Sequence, residues 1–148
     1  MGRAEIFWDP FNQTDPGPCI DVAVMNSRDV IEAGRALGLE YPRPLTMRAL
    51  LDTGASVTVI SKTYAAYCKL FQTSARTEIA AIGTIHVCGE HAGAISFPGT
   101  NLRSLDSIRI VSAVFARERN YACLIGRDIL RSWLITFDGR SKRVTVTD

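Results

Sequence analysis

A mostly β fold, in one domain preceded by an N-terminal arm, is what this sequence predicts, and three observations carry it. β-branched or alternating segments recur along the chain, at Cys19–Met25, Leu45–Leu51, Val57–Ile60 and Arg143–Thr147. From Thr77 to Val114 the residues are strand-like, and Gly83, Gly89, Gly93 and Gly99 punctuate them at hairpin intervals. Helix-like stretches are few and short. With 148 residues, 47% of them apolar and 22% charged, the chain is long enough to bury a core and ordinary in composition for a soluble globular protein.

Element by element, residues 1–18 are irregular in pattern, because Pro10, Pro16, Gly17 and Pro18 break any helix. They carry Ile6, Phe7, Trp8 and Phe11, so this arm is expected to pack on the body or on a partner subunit, with the main domain spanning 19–148. Cys19–Met25 is a strand. Ser27 is placed to cap a helix from Arg28 to Leu37, with Val30, Ile31, Gly34 and Leu37 on one stripe. Gly38 ends it, and Tyr41–Pro44 is an extended link. Leu45–Leu51 and Val57–Ile60 are strands flanking a short loop, and Lys62–Leu70 is a second helical stretch. Ala122–Ile125 is a short buried strand, Arg127–Trp133 a helix, and Leu134–Phe137 with Arg143–Thr147 a hairpin joined around Asp138 and Gly139.

Charge excludes little but says something. A net charge of +2, from 17 basic and 15 acidic residues without a long run of either sign, gives no case for nucleic acid. The basic residues Arg127, Arg131, Arg140, Lys142 and Arg143 read as solvated faces and ion pairs rather than a phosphate-binding surface. Cysteines 19, 68, 88 and 123 show no paired spacing, and no apolar run suits a signal or a membrane span. Reduced thiols in a cytoplasmic location are the expectation.

The most informative segment is Leu50–Ile60, Leu-Leu-Asp-Thr-Gly-Ala-Ser-Val-Thr-Val-Ile. Asp52 sits between two strand-like segments, where a carboxylate is rigidly held and partly desolvated, and chemistry on that group is the most economical reason for it. The motif resembles the active-site loop of aspartic peptidases in the short retropepsin-like branch. A second signature, Cys123-Leu-Ile-Gly-Arg-Asp-Ile-Leu130, resembles the apolar strand, Gly-Arg-Asp and helix of the same family. Ala81–Thr84 resembles its flap tip. The order of motif, flap, Gly-Arg-Asp and closing hairpin covers about residues 45–147.

The resemblance implies a mostly β, acid-protease closed barrel with one or two short helices and one catalytic loop per chain. It implies Asp52 as the catalytic residue, with Thr53, Gly54 and Ala55 supporting the loop. Ile82, Gly83 and Thr84 would form the flap over substrate, and Gly126, Arg127 and Asp128 the structural signature. A dyad needs two aspartates and Asp-Thr-Gly occurs once, so a symmetric homodimer is implied, with one Asp52 from each chain. Two carboxyls sharing a proton require no metal and no cofactor. The substrate would be an extended polypeptide, with apolar residues such as Ile82 and Ile85 lining the cleft. Two features depart from the minimal viral enzymes: Ser56 stands where many have an acid, and the insert at 26–44 is longer, closer to cellular and bacterial relatives.

The same residues admit other readings. A catalytically weak, peptide-binding or regulatory domain of this fold is the main alternative. His86, Cys88 and His91, with Cys123, invite a metal reading, but strand alternation turns His91 away from the other two. No Walker loop or serine-nucleophile elbow is present.

Overall fold

Strand β2 closes the main sheet. The computed structural model describes residues 1–81, 83–116 and 119–148. β2 (Cys19–Met25) pairs antiparallel with β3 (Thr46–Leu51) on one side and, through Ala23–Met25, with β6 (Thr84–Ser96) on the other. Between β3 and β6 run β8 (Cys123–Ile125), β4 (Val59–Ser61) and β7 (Leu105–Ala113), so the strands form a ring, and β5 (Phe71–Ala81) extends it along β6. The closed, mostly β architecture predicted from the sequence is the one the chain adopts.

The ring holds together because β-branched residues fill it. Val22, Ile60, Ile95, Ile110 and Ile125 are fully buried, and each such side chain removed from water contributes about 1.5–3 kcal/mol. β8 lies parallel to β3 and antiparallel to β4. It is thereby wedged between the strand that enters the Asp52 loop and the strand that leaves it.

A second, three-stranded sheet joins the two ends of the chain. β1 (Arg3–Phe7) pairs with β10 (Arg143–Thr147), which pairs with β9 (Leu134–Asp138). A strand at Arg3–Phe7 replaces the irregular arm read from the sequence. Its alternation is real, with Ala4 and Ile6 buried in the common core, so this segment packs on its own chain. Trp8 meets Phe137 edge-on at 6.1 Å. The late basic residues are partly paired here, Lys142 with Asp9 at 2.9 Å and Arg143 with Glu5 at 3.8 Å.

Three short helices appear among the described residues, where the family resemblance implied one or two. α1 (Arg28–Ala36) starts after Ser27, whose side chain makes no capping bond, and Leu37 is 81% exposed rather than packed on the helix stripe. α2 (Lys62–Tyr67) stops short of Leu70 because buried Asn26 captures the turn: its Nδ2 donates to the Lys69 carbonyl at 2.8 Å and its Oδ1 accepts the Phe71 N–H at 2.7 Å. The chain enters β5 at once, well before Thr77. α3 (Arg127–Leu130) is a single turn, followed by bonded turns at Ser132 and Trp133 rather than further helix. No helix among the described residues is long and apolar enough to cross a membrane.

Among the described residues β7 pairs with β6 only from Gly89 onward, so Thr84–Cys88 is paired there by β5 alone and the β5–β6 hairpin stands clear of the ring. At its root, His91 is buried, with Nδ1 3.4 Å from the Leu70 carbonyl and Nε2 3.0 Å from Ser112 Oγ. Burial holds this imidazole below its ordinary value of 6.5, although the Leu70 carbonyl pulls the other way. The folded chain therefore refuses a proton that the unfolded chain accepts. The stability that neutral His91 confers is complete above about pH 6.5 and is lost as pH falls from there through the lowered folded value. Urea unfolding between about pH 7.5 and pH 5 should show this decline, and His91→Gln should flatten it. Identical pH profiles for the two proteins would contradict the assignment.

Candidate active site

The loop after β3 is fixed from both sides before its carboxylate is considered. The Asp52 N–H donates to the Ile125 carbonyl at 3.0 Å, continuing the β3–β8 ladder into the loop. The loop then turns tightly: Ala55 N–H reaches the Asp52 carbonyl at 3.2 Å, and Gly54 N–H donates to Asp52 Oδ1 at 2.8 Å. That last bond orients the carboxylate. Asp52 and Ala55 are half-buried while Thr53, Gly54 and Ser56 are exposed, so the loop presents its tip to solvent in a single chain.

Gly126, Arg127 and Asp128 hold the loop from behind. Arg127 N–H donates to the Ala55 carbonyl and Arg127 Nη1 to the Thr53 carbonyl, both at 2.9 Å. Asp128 receives the Thr58 N–H at 3.0 Å on Oδ2 and the Thr58 hydroxyl at 2.9 Å on Oδ1. Thr58 Oγ1 in turn accepts the Gly126 N–H at 3.2 Å. Gly126 is obligatory for a steric reason: a Cβ there would meet the Val57 carbonyl carbon and oxygen at 2.5 Å. The structure thus brings both sequence signatures into one hydrogen-bonded unit.

Thr58, 1% exposed, carries no mark of this role in the sequence. A lone threonine in Val-Thr-Val reads as an ordinary strand former, and only its spacing from Asp52 distinguished it. The cleft walls were missed as well. Asp52 borders a cleft of about 440 Å³ whose other walls include Val59, Ile79, Phe115, Tyr121 and Leu124. Phe115 and Tyr121 meet edge-on at 6.0 Å, and the Arg119 guanidinium lies 5.5 Å from the centre of the Tyr121 ring. The aromatic residues in an otherwise charged stretch before Cys123 were the available signal.

Gly83 and Thr84 lie at the hairpin tip, both exposed, with Gly83 at a φ of +74° that suits glycine. Ile82 lies outside the described residues. Ile85 is 65% exposed and does not border the Asp52 cleft in this chain; Ile79 does. The four cysteines are free and buried. Desolvation pushes the Cys123 thiol up to about 12. His86, Cys88, His91 and Cys123 do not converge, and no metal-holding cluster of His, Cys, Asp or Glu occurs among the described residues.

The family model described as retroviral aspartyl protease matches residues 14–137, most of the chain. The chain belongs to that family. Among solved structures its fold is similar to the retropepsin-like aspartic protease from Rickettsia conorii, with a TM-score of 0.56 and 10% identity over 100% of this chain and 95% of that one. An inhibitor complex of EIAV protease also matches, at 24% identity and a TM-score of 0.44, over 59% of this chain and 76% of that one. No curated protein matches in sequence. The likeness to the bacterial structure takes in the whole of this retropepsin-like chain, including the insert at 26–44 that holds α1. Ser56 stands where many retroviral members have an acid, and Arg127 bonds the Thr53 carbonyl.

The unit around Asp128 makes a stability prediction. Thr58→Val keeps shape but leaves the Gly126 N–H without its partner and takes one of two donors from Asp128 Oδ1, which keeps the Ile129 N–H, and should cost about 1–3 kcal/mol. Gly126→Ala should cost more, since backbone rather than a flexible side chain must move. Urea unfolding at fixed protein concentration reads both; midpoints matching the wild type would overturn the account.

Proposed function

We propose that the chain is an aspartic endopeptidase active as a homodimer, in which Asp52 from each of two copies shares one proton and activates a water between them. The observation that carries this reading is the setting of Asp52: an oriented carboxylate on a rigid loop, bordering a largely apolar cleft, with no second carboxylate lining that cleft among the described residues. One such group is half a dyad. The exposed tip of the loop, at Thr53 and Gly54, is the surface a second copy would cover, with the Thr53 hydroxyl reaching across the interface.

The chemistry follows from the pair. Like charges about 3 Å apart resist joint ionisation, so one carboxyl stays protonated beside one carboxylate. The carboxylate takes a proton from water as its oxygen attacks the peptide carbonyl carbon, and the protonated partner gives its proton to the carbonyl oxygen. The tetrahedral diol then returns a proton to the amide nitrogen, the C–N bond breaks, and acid and amine leave. No metal or cofactor takes part in these steps. An extended polypeptide suits the cleft, since its backbone can pair as a strand while apolar side chains enter pockets near Val59, Ile79 and Leu124. The β5–β6 hairpin, with Ile82, Gly83 and Thr84 at its tip, would close over it and exclude water.

Asp52→Asn should lower peptide cleavage by roughly 10²–10⁴-fold, with urea unfolding and sedimentation unchanged. Undiminished cleavage by that variant would contradict the proposal. Peptide capture by the wild type without turnover, from mildly acid to neutral pH, would make the domain a regulatory binder instead.

A further inference from the structure

At the root of the β5–β6 hairpin, beside the Asp52 cleft, lies a second hollow of about 530 Å³. One wall is the hairpin itself, at Gln72 and Arg76 of β5 and His86–Gly89 of β6. The other is the body, at Lys62 of α2 and Ser112–Val114 around the end of β7. Lys62, Arg76 and His86 line it, and no Asp or Glu does among the described residues. Neither Lys62 nor Arg76 takes part in an ion pair among those residues. The carboxylate on the same strand as His86, Glu90, is already held by Arg109 at 2.8 Å and by the Thr77 hydroxyl at 2.5 Å.

Within the hollow, polar groups gather around one point. A Cβ at Gly89 would stand 3.1 Å from Gln72 Nε2, 3.6 Å from Arg76 Nη1 and 3.6 Å from Ser112 Oγ. An amide N–H and a guanidinium N–H therefore converge on a space that stays open because residue 89 has no side chain. Arginine and amide donors at such distances suit an oxyanion, and Lys62 adds a charge from the opposite wall. Val87 and Val114 give the hollow apolar surface beyond its polar centre, and its volume exceeds what a bare oxyanion needs.

We propose that this hollow binds a phosphate-bearing small molecule, with the phosphate held between Arg76 and Gln72 over Gly89 and drawn by Lys62. The ligand bridges hairpin and body. The hollow shares Ile79, Ala113 and Val114 with the Asp52 cleft, so occupancy restrains the strand that walls that cleft. It sits where the β5 register against β6 shifts between Gln72 and Arg76, an irregularity that re-aims the side chains on either side of it.

Calorimetric titration of the full chain with pyrophosphate at low salt tests this without reference to catalysis. The expected result is saturable binding of one ion per chain, weakened tenfold or more by Arg76→Gln, by Lys62→Gln and by Gly89→Ala. The last variant leaves every charge in place and only fills the cradle. Adenosine diphosphate in a parallel titration separates the two sources of phosphate: tighter binding than pyrophosphate assigns an organic ester, equal binding a free phosphate. Hydrogen exchange of the β5–β6 amides should slow when the site is filled. No saturable binding by the wild type, or binding that all three variants retain, would overturn the proposal.

Discussion

The carboxylate of Asp128, accepting both the N–H and the hydroxyl of Thr58, is the contact on which the arrangement of the site depends. Hydrogen bonds to an ionised acceptor are about twice as strong as neutral ones, and this one spans two chain segments far apart in sequence. It pins the single-turn helix α3 to the strand leaving the Asp52 loop. Thr58 passes the constraint on by accepting the Gly126 N–H, and Gly126 permits it by having no Cβ where the Val57 backbone lies. Arg127, placed by its neighbours, then holds the loop by the carbonyls of Thr53 and Ala55. Gly54 orients the Asp52 carboxylate from within the Asp-Thr-Gly tripeptide, and groups outside it hold the loop that carries both.

This rigidity gives meaning to what is missing from a single chain. The loop is over-determined from behind and from the β8 side, yet its tip is exposed. In the proposed homodimer such a surface is pre-organised for the matching edge that a second copy would present by symmetry. The β5–β6 hairpin is built the opposite way. Among the described residues it has β5 alone as pairing partner from Thr84 to Cys88, and it exposes Ile85 and Val87 at 65% and 67%. On the proposed function, a fixed floor and a loosely tethered hairpin are what the site would need to admit a chain and then exclude water.

Much of this was legible in the sequence because the decisive groups are local. Apolar residues on both sides of Asp52, and Leu-Ile-Gly before Arg127, mark strands that end in a turn. Whatever depended on distant partners was not legible. Arg3–Phe7 reads as irregular until β10, at the other end of the chain, supplies its ladder. The first half of β5, Gln-Thr-Ser-Ala-Arg, has no alternation of its own and is held to β6 at its two ends, Gln72 opposite His91 and Arg76 opposite Gly89. α2 looked longer because nothing in its own residues announces that Asn26 will capture its end. Thr58 was hidden by being a good strand former, and Phe115 and Tyr121 reach the cleft only through the fold.

The central claim is that two copies of one loop make one active site, and subunit mixing tests it most directly. Wild-type and Asp52→Asn chains, exchanged to equilibrium at fixed total concentration, should lose peptide cleavage as the square of the wild-type fraction. An equal mixture should retain roughly a quarter of the wild-type rate, because random pairing leaves that share of intact pairs. A linear fall, with roughly half the rate remaining, would mean that each chain acts alone and would contradict the shared dyad.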